Sequence, residues 1–167
     1  MKKLLYLLFA LNLIIGCASP NEDPPVQNWD DKIVSGSIPD SLSHGKSYLS
    51  VYSQIYSFSQ HSKYNLTGLI SMRNVSEVDT LYISRADYFA TGGEKIRGYI
   101  EEPVFLLPME TIDIIIDQND VSGGTGSNFI FEWHISEDAP EPIFEGVMSS
   151  MQGNQGVGFT TTAKRLN

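Results

Sequence analysis

The sequence predicts an all-β fold, an immunoglobulin-like β-sandwich of about seven to nine short strands. A small antiparallel barrel is the alternative. Three observations point there. From Tyr48 onward, short apolar or alternating runs recur, broken by Gly, Pro, Asn and Asp. No window carries a helical apolar stripe a dozen residues long. Hydrophobic residues make up 41% of the 167, enough for one packed core.

The N-terminal segment, MKKLLYLLFALNLIIGCASP, has a different character. Lys2 and Lys3 form a positive start, and Leu4 to Ile15 form an apolar stretch interrupted by Asn12. That stretch is shorter than the ~20 residues a membrane-spanning helix needs, so residues 1–16 read as a secretory signal. The Ile14-Ile15-Gly16-Cys17 end resembles the bacterial lipobox, with Ile14 where Leu is usual. The resemblance implies that Cys17 is lipidated and becomes the first mature residue. Cys17 is also the only Cys, which excludes an internal disulfide and leaves anchoring as its use. By the same resemblance, Ala18 points to the outer membrane and not to inner-membrane retention. Asn21-Glu22-Asp23 is similar to the surface-export signals of some lipoproteins.

Residues 17–47 read as the lipidated Cys and a flexible tether, rich in Pro20, Pro24, Pro25 and Pro39. As a coil, such a segment spans roughly 30 Å and lifts a domain off the headgroups. Trp29 and Ile33-Val34 are its docking points, or else belong to the domain's edge. The domain is expected over 48–162, with a short tail at 163–167. Strands are predicted near 48–58, 64–74, 79–89, 95–100, 104–107, 111–117, 128–135, 142–150 and 157–162. Alternation is clearest at Ile112, Ile114 and Ile116, and at Phe129, Phe131, Trp133 and Ile135. Ala90 to Glu94 reads as a hairpin turn. Leu107 to Glu110 reads as a bend, because Pro108 cannot donate to a ladder.

Charge excludes one class of function. Asp and Glu number 20 against 11 Lys and Arg, a net charge of −9 that becomes −11 when Lys2 and Lys3 are removed. A nucleic-acid binder needs a basic face, so no nucleic-acid partner is expected. So acidic a chain gains nothing from anionic lipid, and contact with the membrane falls to the lipid on Cys17.

Three constellations are candidates for chemistry. The first is the loop Asp117 to Asn128, with Asp117, Asn119, Asp120 and Ser122 followed by Gly123, Gly124 and Gly126. Its hard oxygens suit calcium, although the spacing is not that of an EF-hand, and its glycines equally suit a tight inter-strand bend. The second is Tyr48, Tyr52 and Tyr56, recurring every four residues along one predicted strand face, with Phe58 continuing it. They are a platform for a sugar or protein partner, or simply strand residues covering the sheet. The third is Glu132 with His134, pointing the same way from one strand. They form a metal or acid–base pair lacking a visible third ligand, or else a solvated polar face. With Asp117 and Asp120 they complete the metal-ligand candidates. Cofactors beyond calcium are not expected.

Several segments together resemble a known family. They are Val51-Tyr52-Ser53-x-Ile55-Tyr56, Glu102-Pro103-Val104 with Leu107-Pro108, the glycine loop through Asn128-Phe129, Glu132-Trp133, Glu141-Pro142 with Val147-Met148, and Gln155-Gly156. They are similar to the bacterial lipoprotein family known as domain of unknown function 3124. The resemblance spans about Tyr48 to Thr162 and departs at Ser127 and Gly146, where Ala is expected. It implies an exported lipoprotein and brings no catalytic residue. The chain carries no nucleophile elbow, zinc-protease motif, Ser-x-x-Lys or phosphate loop. The expected function is therefore a membrane-anchored, non-enzymatic binding module for an envelope protein or glycan. A calcium- or metal-dependent binding domain is the alternative, and a glycan hydrolase is the third reading.

Overall fold

The computed structural model describes residues 29–167. The signal segment, Cys17 and the tether up to residue 28 lie outside the described residues. The twelve strands are β1 (Ser43–Val51), β2 (Gln54–Ser57), β3 (Ser59–Asn65), β4 (Thr67–Arg73), β5 (Leu81–Phe89) and β6 (Lys95–Ile100), then β7 (Val104–Leu106), β8 (Thr111–Ile116), β9 (Ser127–Ile135), β10 (Ile143–Gln152), β11 (Gln155–Thr162) and β12 (Lys164–Arg165). The described residues hold no α-helix, only a 3₁₀ turn at Asp30–Lys32.

Two antiparallel sheets make the sandwich. The first runs β12-β1-β9-β5-β6, with β7 also paired to β5; the second runs β11-β10-β4-β8. Neither closes into a barrel, so the barrel alternative is set aside. Strands β2 and β3 form a separate two-stranded hairpin.

Alternation explains which faces meet. In β9 every second residue is buried, from Ser127 through Phe129, Phe131 and Trp133 to Ile135. In β8, Ile112, Ile114 and Ile116 point inward, whereas Ile115 is exposed. Across the interface the Phe131 ring stacks on Phe144 of the other sheet at 4.3 Å, nearly parallel. Phe129 continues the stack on one side of Phe131, and Tyr88 continues it beyond Phe129. This aromatic column is the centre of the core. At one corner the Thr161 hydroxyl donates to the Ser50 carbonyl at 2.7 Å, tying β11 to β1.

The first strand starts earlier than its hydrophobicity suggests. Ser43 to Ser47 look like linker, yet they pair residue by residue with β9. The reason is size. Gly45 and Ser47 face inward, where the Trp133 indole needs room. A Cβ on Gly45 would lie 2.2 Å from that ring, and the indole N–H donates to the Ser47 hydroxyl at 3.0 Å. Small residues opposite a large one keep the layer filled and leave no hydrophobic signal.

The predicted strands at 48–58 and 64–74 are each broken in two. The chain leaves β1 at Tyr52, because the Ser53 and Gln54 amides donate to the Gly124 carbonyl and not to a neighbouring strand. Leu66 then returns by donating its amide to Ser53. The tail contains β12, which pairs with β1 at Ser47 and Tyr48. Trp29 packs against the core, and Ile33 bridges Val104. Lys32 forms an ion pair with Glu110.

Gly45→Ala is expected to lower stability by about 3 kcal/mol through overpacking against Trp133, read as a drop in the urea midpoint. A shift within measurement error would show that the indole has room to move.

Candidate functional site

The glycine loop is a clamp that closes one end of the sandwich. Its carboxylates serve the loop itself. The Asp117 Oδ1 accepts from the Asn119 amide at 2.7 Å. Asp120 accepts from the Ser122 amide and hydroxyl and from the Arg97 guanidinium, the last at 2.6 Å. Burial alone would raise the Asp120 pKa, but the Ser122 and Arg97 hydrogen bonds outweigh it and hold the carboxyl below its ordinary value.

The glycines have specific reasons to be there. Gly123 is buried against hydroxyls: a Cβ on it would lie 1.8 Å from the Tyr88 oxygen and 2.7 Å from those of Ser53 and Ser127. Gly124 has a φ of +71°, in the left-handed region that favours glycine. The Gly123 carbonyl accepts from both the amide and the hydroxyl of Thr91, and the Gly126 amide donates to that same hydroxyl. Beneath the loop runs a buried polar chain. Ser53 and Tyr88 share a hydrogen bond of 2.7 Å, Tyr88 donates to Ser127, and Ser127 donates to the Val51 carbonyl. Ser127, where the family resemblance leads one to expect Ala, therefore supplies a link in that chain. Asn128 lies in β9 opposite Ser50.

The tyrosine platform is corrected by the strand break. Tyr48 is half-buried in β1, while Tyr52 lies in the break and packs edge-on against Phe159 at 5.7 Å. Tyr56 is 56% exposed on β2, with the Lys63 ammonium 5.3 Å from its ring centre. The three rings do not share a strand face, because the hydrogen bonds to Gly124 turn the chain between them. The more prominent residue is Phe58, which the sequence places only as a continuation of that tyrosine face. It sits between β2 and β3, 98% exposed, with a φ of +59°. A bulky side chain in that backbone region is an outlier that marks strain. Tyr64 meets its ring edge-on at 6.4 Å.

Glu132 and His134 do share the outer face of β9 but have different partners. Glu132 pairs with Arg85 at 3.0 Å and Lys46 at 3.6 Å. Arg85 also pairs with Asp87, which Lys95 reaches from the next strand at 2.7 Å. The result is a ribbon of alternating charge across four strands. Burial alone would raise the Asp87 pKa, but hydrogen bonds from Lys95 and Arg85 overcome this and lower it. His134 faces His44 across the strand pair, their ring centres 5.0 Å apart. Burial lowers the His134 pKa first, His44 lowers it further, and Glu132 opposes both. Strand pairing, invisible in the sequence, is what brings His44 here. Among the described residues, no group of three or more His, Cys, Asp or Glu is placed to hold a metal ion.

The comparisons with known proteins follow from this fold. The profile of the family described as "Protein of unknown function (DUF3124)" matches residues 44–166. The chain belongs to this family. The matched span runs from His44 in β1 to Leu166 just after β12, so the family unit includes all twelve strands except Ser43. No curated protein matches the chain. Among solved structures, the crystal structure of Thermotoga maritima 1070 is similar, at 10% identity and a TM-score of 0.43, covering 72% of this chain and 92% of that one.

Two outcomes are expected. Gly123→Ala should cost about 3 kcal/mol by overpacking, and Tyr88→Phe should rescue part of that loss by removing the clashing oxygen. A double-mutant cycle in urea checks this, and strict additivity would refute the contact. The second concerns Asp87, whose folded pKa is depressed. Its contribution is full above the unfolded value of about 3.9 and is lost as pH falls through the lower folded value. Asp87→Asn should therefore flatten the acid limb of the stability–pH curve, measured by denaturation between about pH 5 and pH 2.

Proposed function

We propose that the chain is an exported, lipid-anchored envelope protein whose sandwich is a non-enzymatic binding module. The module engages an envelope protein or glycan through the β2–β3 hairpin. The observation that carries this reading is Phe58, fully exposed on a strained backbone at the hairpin tip, with Tyr56 and Tyr64 beside it. An exposed aromatic held at an energetic cost is the kind of anchor that partners bury. The anchor itself is argued from Cys17 and the signal-like segment before it.

Direction supports the same reading. Ile33 bridges Val104, Val104 pairs with Ile83, and Ile83 with Trp133, at the level of Gly45. The N-terminal segment thus enters near the start of β1. The hairpin follows Val51 at the other end, about 20 Å along the strand. A domain tethered through its N-terminal segment thus carries the hairpin at the end remote from the point of entry. Charge adds to the contrast: no Asp or Glu occurs between Asp40 and Glu77, although the chain as a whole carries −9.

Incorporation of a photo-crosslinking amino acid at Phe58 in the full-length protein, in its own cells, tests the binding reading. A discrete adduct at position 58 and none at Val78, itself 82% exposed, is expected. Equal labelling at both positions, or none at 58, would sink it. For the anchor, an alkyne fatty acid fed to the cells should label the wild type and not Cys17→Ser. Label retained by Cys17→Ser would remove Cys17 as the acylated residue.

A further inference from the structure

We propose that His44 and His134 form a site for one divalent transition-metal ion of the zinc, copper or nickel class. The site is independent of the hairpin and of the glycine loop. It rests on three observations.

The first is spacing. His44 and His134 are directly opposed in the antiparallel β1–β9 pair, with ring centres 5.0 Å apart and planes tilted by 52°. An imidazole nitrogen binds such an ion at about 2.0–2.1 Å, and the ring centre lies roughly 1.2 Å behind it. Each ring centre therefore stands about 3.2 Å from the metal, and two at a near-tetrahedral angle are about 5 Å apart. The rings already stand at that separation, so binding needs rotation of side chains and no movement of backbone.

The second is orientation. The Ser84 hydroxyl lies 3.2 Å from His134 Nε2 and 3.3 Å from the Glu132 carbonyl, so the ring is held by one nitrogen. With Ser84 donating to that carbonyl, Nε2 keeps the ring proton and Nδ1 is the nitrogen that meets a metal ion. Metal-binding histidines are commonly oriented by such a hydrogen bond on the other nitrogen.

The third is surroundings. Both histidines line a cleft of about 210 Å³ whose other walls include Asp40. Asp40 brings a negative charge to that lining, and water would complete the coordination. Nitrogen donors select zinc, copper or nickel over calcium or magnesium.

The experiment titrates zinc into the metal-free full-length chain by calorimetry, with copper spectroscopy as a second readout. The chain has three histidines and one Cys, so the three histidine variants, each read beside Cys17→Ser, complete the controls. One zinc per chain is expected in the wild type and in His61→Gln. His44→Ala and His134→Gln should each weaken binding at least tenfold. Copper bound to the wild type should show coupling to two imidazole nitrogens, and to one in His44→Ala. His44 is exposed, and circular dichroism confirms the fold of that variant before titration. Absence of stoichiometric zinc in the wild type, or unchanged affinity in a folded His44→Ala, overturns the proposal. Loss of binding in His61→Gln does the same.

Discussion

The hairpin end of the sandwich depends on the narrow space between Gly123 and the Tyr88 hydroxyl. Any side chain at 123 would occupy the Tyr88 oxygen's position. Because that space is left open, the loop can lie flat on the buried hydroxyl chain and offer its carbonyls outward. Gly124 then captures the amides that turn β1 away from its sheet, and Gly123 captures Thr91 in the β5–β6 turn. Two connections are thus fixed by one segment without regular structure. Buried polar groups are costly unless all are paired, and here each hydroxyl in the chain has a partner.

Much of the fold was legible because period-two alternation is a direct record of burial. β8 and β9 could be read almost residue by residue, as could the turn at Ala90 to Glu94. What escaped were features that depend on an element distant in sequence. Gly45 and Ser47 look like linker until Trp133 is placed opposite them. The break at Tyr52 and Ser53 is imposed by Gly124, some seventy positions away, so the even tyrosine spacing suggested a strand face that does not exist. The glycine loop was recognisable as distinctive, but its acidic residues suggested a ligand where they mainly cap and brace their own turn.

The histidines show the same limit from the other side. Glu132 and His134 share a face, as strand geometry requires, yet each finds its partner on another strand. Glu132 joins a ribbon of ion pairs through Arg85 and Lys46. His134 meets His44, a pairing set by the register of β1 on β9. A signal for Phe58 was present in the sequence as an apolar residue between serines, Ser57 and Ser59, with neither Gly nor Asn to take the left-handed position.

The absence of acids between Asp40 and Glu77 has an electrostatic consequence for encounter. An anionic body with an acid-free, lysine-bearing projection is an electric dipole. In the field of a negatively charged partner, such a body turns its projection toward that partner before any contact is made. At physiological ionic strength that torque acts only within about 8–10 Å. It therefore governs the final approach, so that the first side chains to arrive are aromatic ones, with little hydration to shed.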